Sequence, residues 1–241
     1  MTERGGSAEG IHVHLAQTRD IGATGFADRL CRYVYHTWLP RYAGYLALPR
    51  NLFYARLLRA EGIRLGSGNR IKGAGSLRIG RAFNALDHLW LEAVEHDRVG
   101  NHYDPTLVIG NDVSFGRDVH VAATNYVRIG NDVLVGSRVI ITDHNHGIYK
   151  GDGQSSPLQR PADRRLSSSA ETIVEDNVWI GDGAVVLPGA HIGRASIIGA
   201  NSVVKGAIPE FCMAAGSPAR PIRVFDVKSG SWLLTVRKTL E

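Results

Sequence analysis

A six-residue rhythm is the feature that most limits how this chain can fold. In "TIVEDNVWIGDGAVVLPGAHIGRASIIGANSVVKG", Val174, Ile180, Val186, Ile192, Ile198 and Val204 fall on one register. Two positions before most of them stands a small or β-branched residue: Val178, Ala184, Ala190, Ser196 and Ser202. The same step recurs upstream at Ile109, Phe115 and Val121. After a two-residue slip it resumes at Ile129, Val135 and Ile141, and Ile71, Leu77 and Ile79 begin a less regular part. A period of six is neither that of a helix nor that of an alternating strand. It fits a short strand plus a corner, with glycines such as Gly181, Gly193 and Gly199 supplying a positive φ where the chain turns. Three strands and three corners close one coil of about eighteen residues, and stacked coils make a solenoid. The expected fold class is therefore an all-β solenoid, a parallel β-helix whose register residues point inward.

The rhythm stops once. Residues 147–171, "GIYKGDGQSSPLQRPADRRLSSSAE", carry no period and are rich in Gly, Ser, Pro and charge. A loop of this length inside a compact fold is usually functional or disordered. It begins just after "ITDHNHG", which holds Asp143, His144, Asn145 and His146. A histidine at the corner of a rigid solenoid is preorganised, and an uncharged imidazole suits general-base work near neutral pH. Alternation along a strand would point Asp143 and His144 in opposite directions. Whether Asp143 or a backbone carbonyl orients the ring therefore stays open at this stage.

The ends read differently. Phe26, Leu30, Tyr33, Val34 and Trp38 have helical spacing, and Pro40 stops the run. A second helix is expected to start near Pro49, to carry Leu52, Phe53 and Leu57 on one face, and to end at Gly62. These helices suit a cap over the open end of a solenoid, and their arginines also permit contact of residues 26–60 with an anionic membrane surface. The expected organisation is a tail and helical cap over 1–62, a β-helix over 63–225 with a projecting loop at 147–171, and a C-terminal tail over 226–241. The 241 residues are 44% hydrophobic and 21% charged, which favours a packed core over disorder. A net charge of +5 fits a polyanionic ligand without choosing one. Only Cys31 and Cys212 are present, so no disulfide framework is expected. The N-terminus lacks an apolar signal segment and no run is long enough to span a bilayer, so a cytoplasmic location is expected.

The run "VWIGDGAVVLPGAHIGRASIIGANSVV" followed by "AAGSPARPIR" closely resembles the hexapeptide-repeat acyltransferases. The nearer resemblance is to the maltose/galactoside O-acetyltransferase branch and, within it, to bacterial exopolysaccharide O-acetyltransferases of the colanic acid type. "LWLEAV", "NYVRIG", "DHNHG" and "PADRRLS" fit that subgroup as well. The resemblance covers roughly residues 63 to 225. It implies a left-handed β-helix, acetyl-CoA as acyl donor without a metal, a sugar or polysaccharide-precursor acceptor, and a homotrimer with active sites between neighbouring prisms. No nucleic-acid partner is expected.

The same resemblance places a catalytic histidine two residues after a strand Thr or Ser, which is His144 in Thr142-Asp143-His144. Asp143, Asn145 and His146 then stand as acceptor-binding candidates, joined by Asn84, Trp90 and Glu92 from earlier coils. Trp179, outward beside the inward Ile180, would line the acetyl and pantetheine channel near the histidine of the adjacent subunit. Arg220 and Arg223 would meet the nucleotide end of coenzyme A, because a guanidinium forks onto phosphate. Gly199, Ala200 and Lys205 would meet pantetheine. The chain departs from the family at Lys205-Gly206-Ala207, where Thr-Lys-Asp is common, which puts the lysine–phosphate contact in doubt. Acetyl transfer to serine, an antibiotic or another acceptor, a histidine-bound metal in a β-helical carbonic anhydrase, and a non-catalytic scaffold are the competing readings.

Overall fold

The computed structural model describes residue 33, residues 39–167 and residues 171–235. The chain separates into two compact units, Met1–Tyr45 and Leu46–Glu241. The helical run expected over 26–38 lies, Tyr33 apart, outside the described residues.

Within the second unit, strands visit three sheets in strict rotation. The first sheet takes Arg64–Leu65, Asn84–Ala85, Ser114–Phe115, Leu134–Val135, Trp179–Ile180, Ile197–Ile198 and Cys212–Gly216 in parallel order. The second takes Arg70–Lys72, Trp90–Ala93, His120–Ala123, Ile140–Thr142, Val185–Val186 and Val203–Val204. The third takes Leu77–Ile79, Thr106–Ile109, Tyr126–Ile129, Glu171–Val174, His191–Ile192 and Ala207–Ile208. This is the strand order of a parallel β-helix. The first sheet closes with two antiparallel strands, Ala219–Asp226 and Ser231–Leu234, where Val224 lies opposite both Cys212 and Leu233.

The register residues fill the interior. Ile109, Val121, Ile129, Val135, Ile141, Val174, Ile180, Val186, Ile192, Ile198 and Val204 are all buried, and so are Val178, Ala184, Ala190, Ser196 and Ser202. Each aliphatic group stacks on its equivalent one coil away, as in Val135 on Ile180 and Ile180 on Ile198. Ser196, a polar member of the stack, accepts the Cys212 N–H and donates to the Pro209 carbonyl, so its hydroxyl is not left unpaired.

The corner glycines serve a different purpose from the one expected of them. Gly130 and Gly136 do not have positive φ; that conformation falls two residues later, on Asp132 and Arg138. What forces glycine is close approach. A Cβ on Gly130 would lie 2.7 Å from the Asp176 backbone nitrogen, and one on Gly136 would lie 2.7 Å from that of Asp182.

The helix also differs from expectation. It spans Leu39–Leu58, so it runs through Pro49 and ends before Gly62. The turn after Pro49 is tied down: Arg50 Nη2 donates to the Leu65 carbonyl, and Asn51 Oδ1 accepts the Leu65 N–H. Those anchors choose the packed face. Tyr54, Ala55 and Leu58 meet the core, whereas Leu52, Phe53 and Leu57 are exposed. Among the described residues no helix is long and apolar enough to cross a membrane.

One corner absorbs every irregularity of the coil. The step from first to second sheet is constant, as in Leu134 to Ile140 and Trp179 to Val185, and so is the step from third to first, as in Ile173 to Trp179. The step from second to third sheet runs from Val203 to Ala207 at its shortest. It stretches from Trp90 to Val108 in one coil and from Ile140 to Ile173 in another. Two insertions thus leave the prism at the same edge, one over 94–105 and a longer one that begins at Asp143.

If the inward stack holds the coils together, Ile180→Ala lowers unfolding free energy by about 2–5 kcal/mol. Arg78→Ala, outward between Leu77 and Ile79 on the third sheet, changes it by about 0.5 kcal/mol or less. Urea unfolding followed by circular dichroism distinguishes the two.

Candidate active site

Between the two insertions lies a cleft of about 270 Å³. Its floor is the outer face of the second sheet, where Trp90 and Glu92 alternate with inward Leu91 and Ala93. His120 and Ala122 continue the floor on the next strand. One wall comes from the shorter insertion with His96 and Arg98, the other from the longer one with Arg164 and Leu166. His144 and His146 stand where the longer insertion departs.

Asp143 organises this point. It is fully buried. One carboxylate oxygen accepts the Thr124 N–H at 2.9 Å and the Thr124 hydroxyl at 3.1 Å; the other accepts the Asn125 N–H at 2.8 Å. The oxygen nearer His144 lies 2.9 Å from its Nδ1. Every other neighbour of this carboxylate is a donor, so the ring answers with Nδ1–H and leaves the Nε2 lone pair unused. Thr142 Oγ1, 3.0 Å from Nδ1, also accepts the His144 backbone N–H at 3.3 Å and fixes the turn. The strand ends at Thr142, so alternation no longer governs the next two side chains. That is why Asp143 and His144 meet rather than point apart. The His144 side chain keeps 12% of its surface exposed, at the cleft.

The two insertions are stitched together. Asp97 accepts hydrogen bonds from the Asn101 side chain at 2.7 Å and from the Tyr103 hydroxyl at 2.8 Å. Tyr103 in turn accepts the Leu166 N–H of the longer insertion at 3.1 Å. Burial alone would raise the Asp97 pKa; donation from Asn101, Tyr103 and Val99 outweighs it and holds the carboxyl at about 2. Burial and the Asp97 carboxylate push the Tyr103 hydroxyl up. At the base of the longer insertion, Asn145 and Ser167 exchange two hydrogen bonds, and His146 bridges to Leu166.

The expected site residues divide. His144, His146, Trp90 and Glu92 share the cleft. Asp143 presents no surface to an acceptor, because its oxygens are committed inside; it sits beneath the histidine instead. Asn145 is exposed, with its backbone spent on the Ser167 clasp. Asn84 lies on the first sheet and bonds the Ala82 carbonyl. Trp179, 50% exposed, stands on the outer face of the first sheet between Leu134 and Ile197. Gly199 and Ala200 form a corner after Ile198, exposed Lys205 lies at the shortened corner, and Arg220 and Arg223 are on the closing strand. None of these six lines the cleft within one chain.

Sequence reasoning passed over Lys72 and Asp97 as site residues. Lys72 meets Glu92 at 2.9 Å. The Lys72–Glu92 pair joins adjacent coils and the Asp97 contacts lie within the shorter insertion, and no local motif marks either. Among the described residues no group of three or more His, Cys, Asp or Glu side chains is arranged to hold a metal ion.

Residues 171–206 match the family described as bacterial transferase hexapeptide (six repeats), and residues 126–153 match the hexapeptide repeat of succinyl-transferase. Over 190 residues the chain is 35% identical to the Escherichia coli K12 protein WbbJ, provisionally named a lipopolysaccharide biosynthesis O-acetyl transferase. That alignment covers 78% of this chain and 92% of the relative. The chain belongs to the hexapeptide-repeat acyltransferases. A galactoside O-acetyltransferase of Lactococcus lactis is 33% identical over 129 residues, 50% of this acyltransferase and 58% of the relative. The fold of AntD, a Bacillus cereus N-acyltransferase solved with dTDP and 3-hydroxybutyryl-CoA, is also alike. The TM-score is 0.57 at 18% identity, over 70% of this chain and 84% of that one.

The Asp97 linkage has a definite sign. Its folded carboxyl titrates below the 3.8 of an unrestrained aspartate, so its stabilising effect is complete above about pH 4 and is lost as pH falls towards about 2. Asp97→Asn removes this acid-sensitive component. Hydrogen exchange of the Leu166 amide between pH 2 and 5, with intrinsic rates subtracted, shows the difference.

Proposed function

We propose that this acyltransferase moves an acetyl group from acetyl-CoA to a sugar hydroxyl, with His144 as general base. The observation that carries this reading is the buried Asp143 carboxylate under His144 Nδ1. It leaves Nε2 as a proton acceptor at a cleft walled by two insertions. In the reaction the acceptor hydroxyl attacks the thioester carbonyl while its proton passes to His144 Nε2. The tetrahedral intermediate then collapses, the C–S bond breaks, and the thiolate of coenzyme A takes the proton back. Asp143 stabilises the imidazolium between these steps without receiving its proton.

The acceptor class is supported by the relatives named for galactoside and lipopolysaccharide O-acetylation, and the proposed role is in exopolysaccharide or lipopolysaccharide synthesis. It works in the cytoplasm, and the exposed Leu52, Phe53 and Leu57 of the helix support contact with the inner face of the membrane. Trp179, Gly199, Ala200, Lys205, Arg220 and Arg223 bind coenzyme A, and they complete the cleft of a neighbouring copy in a homotrimer of left-handed prisms. The separation of these six residues from His144 within one chain supports that assembly.

The test is release of free thiol from acetyl-CoA in the presence of methyl glycosides. His144→Ala is expected to lower kcat/KM by about 10²- to 10⁴-fold, and Trp179→Ala to raise KM for acetyl-CoA. Full turnover in His144→Ala removes the base. Turnover with serine in place of every glycoside removes the acceptor class.

A further inference from the structure

The floor of the cleft holds a histidine that the acid–base pair does not use. The His120 ring lies 4.1 Å from that of Trp90, nearly parallel at 16°. On the preceding coil the Arg70 guanidinium and the Lys72 ammonium sit over the same indole at 5.6 and 5.7 Å. In the ladder Arg70, Trp90 and His120 are consecutive, so both indole faces are covered. Trp90 therefore cannot stack on a sugar ring and has only its edge to offer.

Both rings carry a nitrogen in want of a partner. Trp90 Nε1 and His120 Nε2 are buried with no hydrogen bond, a condition shared among the described side chains only by Arg50 Nε. Such a group carries a standing penalty until something pairs with it. Both rings line the cleft with His144. Burial pushes the His120 pKa below the usual histidine value; Glu92 opposes this, and His144 and Lys72 reinforce it. The ring is thus uncharged at neutral pH. An indole N–H only donates, and an uncharged imidazole nitrogen donates or accepts. A hydroxyl does both, and it brings no charge into a floor where Lys72 and Glu92 already neutralise each other.

We propose that His120 is an acceptor-orienting residue: its Nε2 and the Trp90 Nε1–H engage one hydroxyl of an uncharged polyol while a second hydroxyl faces His144. This rests on the sugar-acceptor reading above and narrows it to acceptors with a second hydroxyl near the acetylated one. Engagement requires the acceptor to open the floor slightly, since both nitrogens are covered in the free enzyme.

The experiment compares His120→Phe, which keeps a stacked ring and loses both nitrogens, with His120→Gln, which returns a polar group. KM for the best methyl glycoside, KM for acetyl-CoA and the melting temperature are measured for each. Loss of one neutral hydrogen bond predicts a rise in glycoside KM of about three- to tenfold in His120→Phe. Partial recovery is expected in His120→Gln, with KM for acetyl-CoA within about twofold of the parent. An unchanged glycoside KM, or equal shifts in both KM values, overturns the assignment. If His120→Phe does not fold, the parent enzyme decides. Titration with the glycoside must shift the Trp90 indole N–H resonance, and an unmoved resonance means that only an ordered water sits there. Failure of the base reading is seen separately, as turnover retained in His144→Ala.

Discussion

The parallel ladder, with one aliphatic residue stacked per strand, is the constraint on which everything else depends. Strands of two to five residues have no stability alone; each is held by register with its equivalents in neighbouring coils. Two of the three corners therefore keep a fixed length in every coil. The third corner has no such obligation, and the chain spends its freedom there. Insertions of different length emerge along one edge of the prism and enclose a cleft whose floor remains a rigid sheet. The floor of the cleft is set by the part of the fold that cannot vary, and the walls by the part that can.

Within that frame a single buried carboxylate connects the scaffold to the chemistry. Asp143 is held by backbone and hydroxyl donors of the neighbouring coil, Thr124 and Asn125. An ionised group so buried is tolerated because donors surround it. Its remaining acceptor capacity falls on His144, so the coil-to-coil contact and the ring tautomer are one interaction. The Asp97–Tyr103–Leu166 connection does for the walls what Asp143 does for His144: it fixes one insertion against the other through hydrogen bonds rather than through a core.

Much of this was legible in the residues. The side chains on the six-residue register lie inward, Ile71 alone being only half-buried, because stacking leaves a periodic trace; buried residues of the less regular early coils, such as Phe83, Leu89 and Leu91, were not singled out. The break in the register marked the longer insertion, and the His144 pair stood beside it. Other features left no periodic trace. Alternation misplaced Asp143, since the strand ends one residue earlier. The glycines were read as turn-formers, although their neighbours carry the positive φ and the glycines permit close approach of the next coil. Pro49 suggested a helix start, but anchoring by Arg50 and Asn51 onto Leu65 holds the helix through it. The Arg70–Trp90–His120 stack escaped because it joins residues of three successive coils, with the shorter insertion lying between Trp90 and His120.

The central claim is that the Asp143 carboxylate holds His144 with its proton on Nδ1 and its lone pair on Nε2. Nitrogen-15 chemical shifts of the His144 ring in the intact enzyme, recorded where the imidazole is uncharged, measure this directly. The structure predicts a pyrrole-like Nδ1 and a pyridine-like Nε2, with the distinction weakened when Asp143 is replaced by asparagine. A pyrrole-like Nε2 in the parent enzyme would contradict the account.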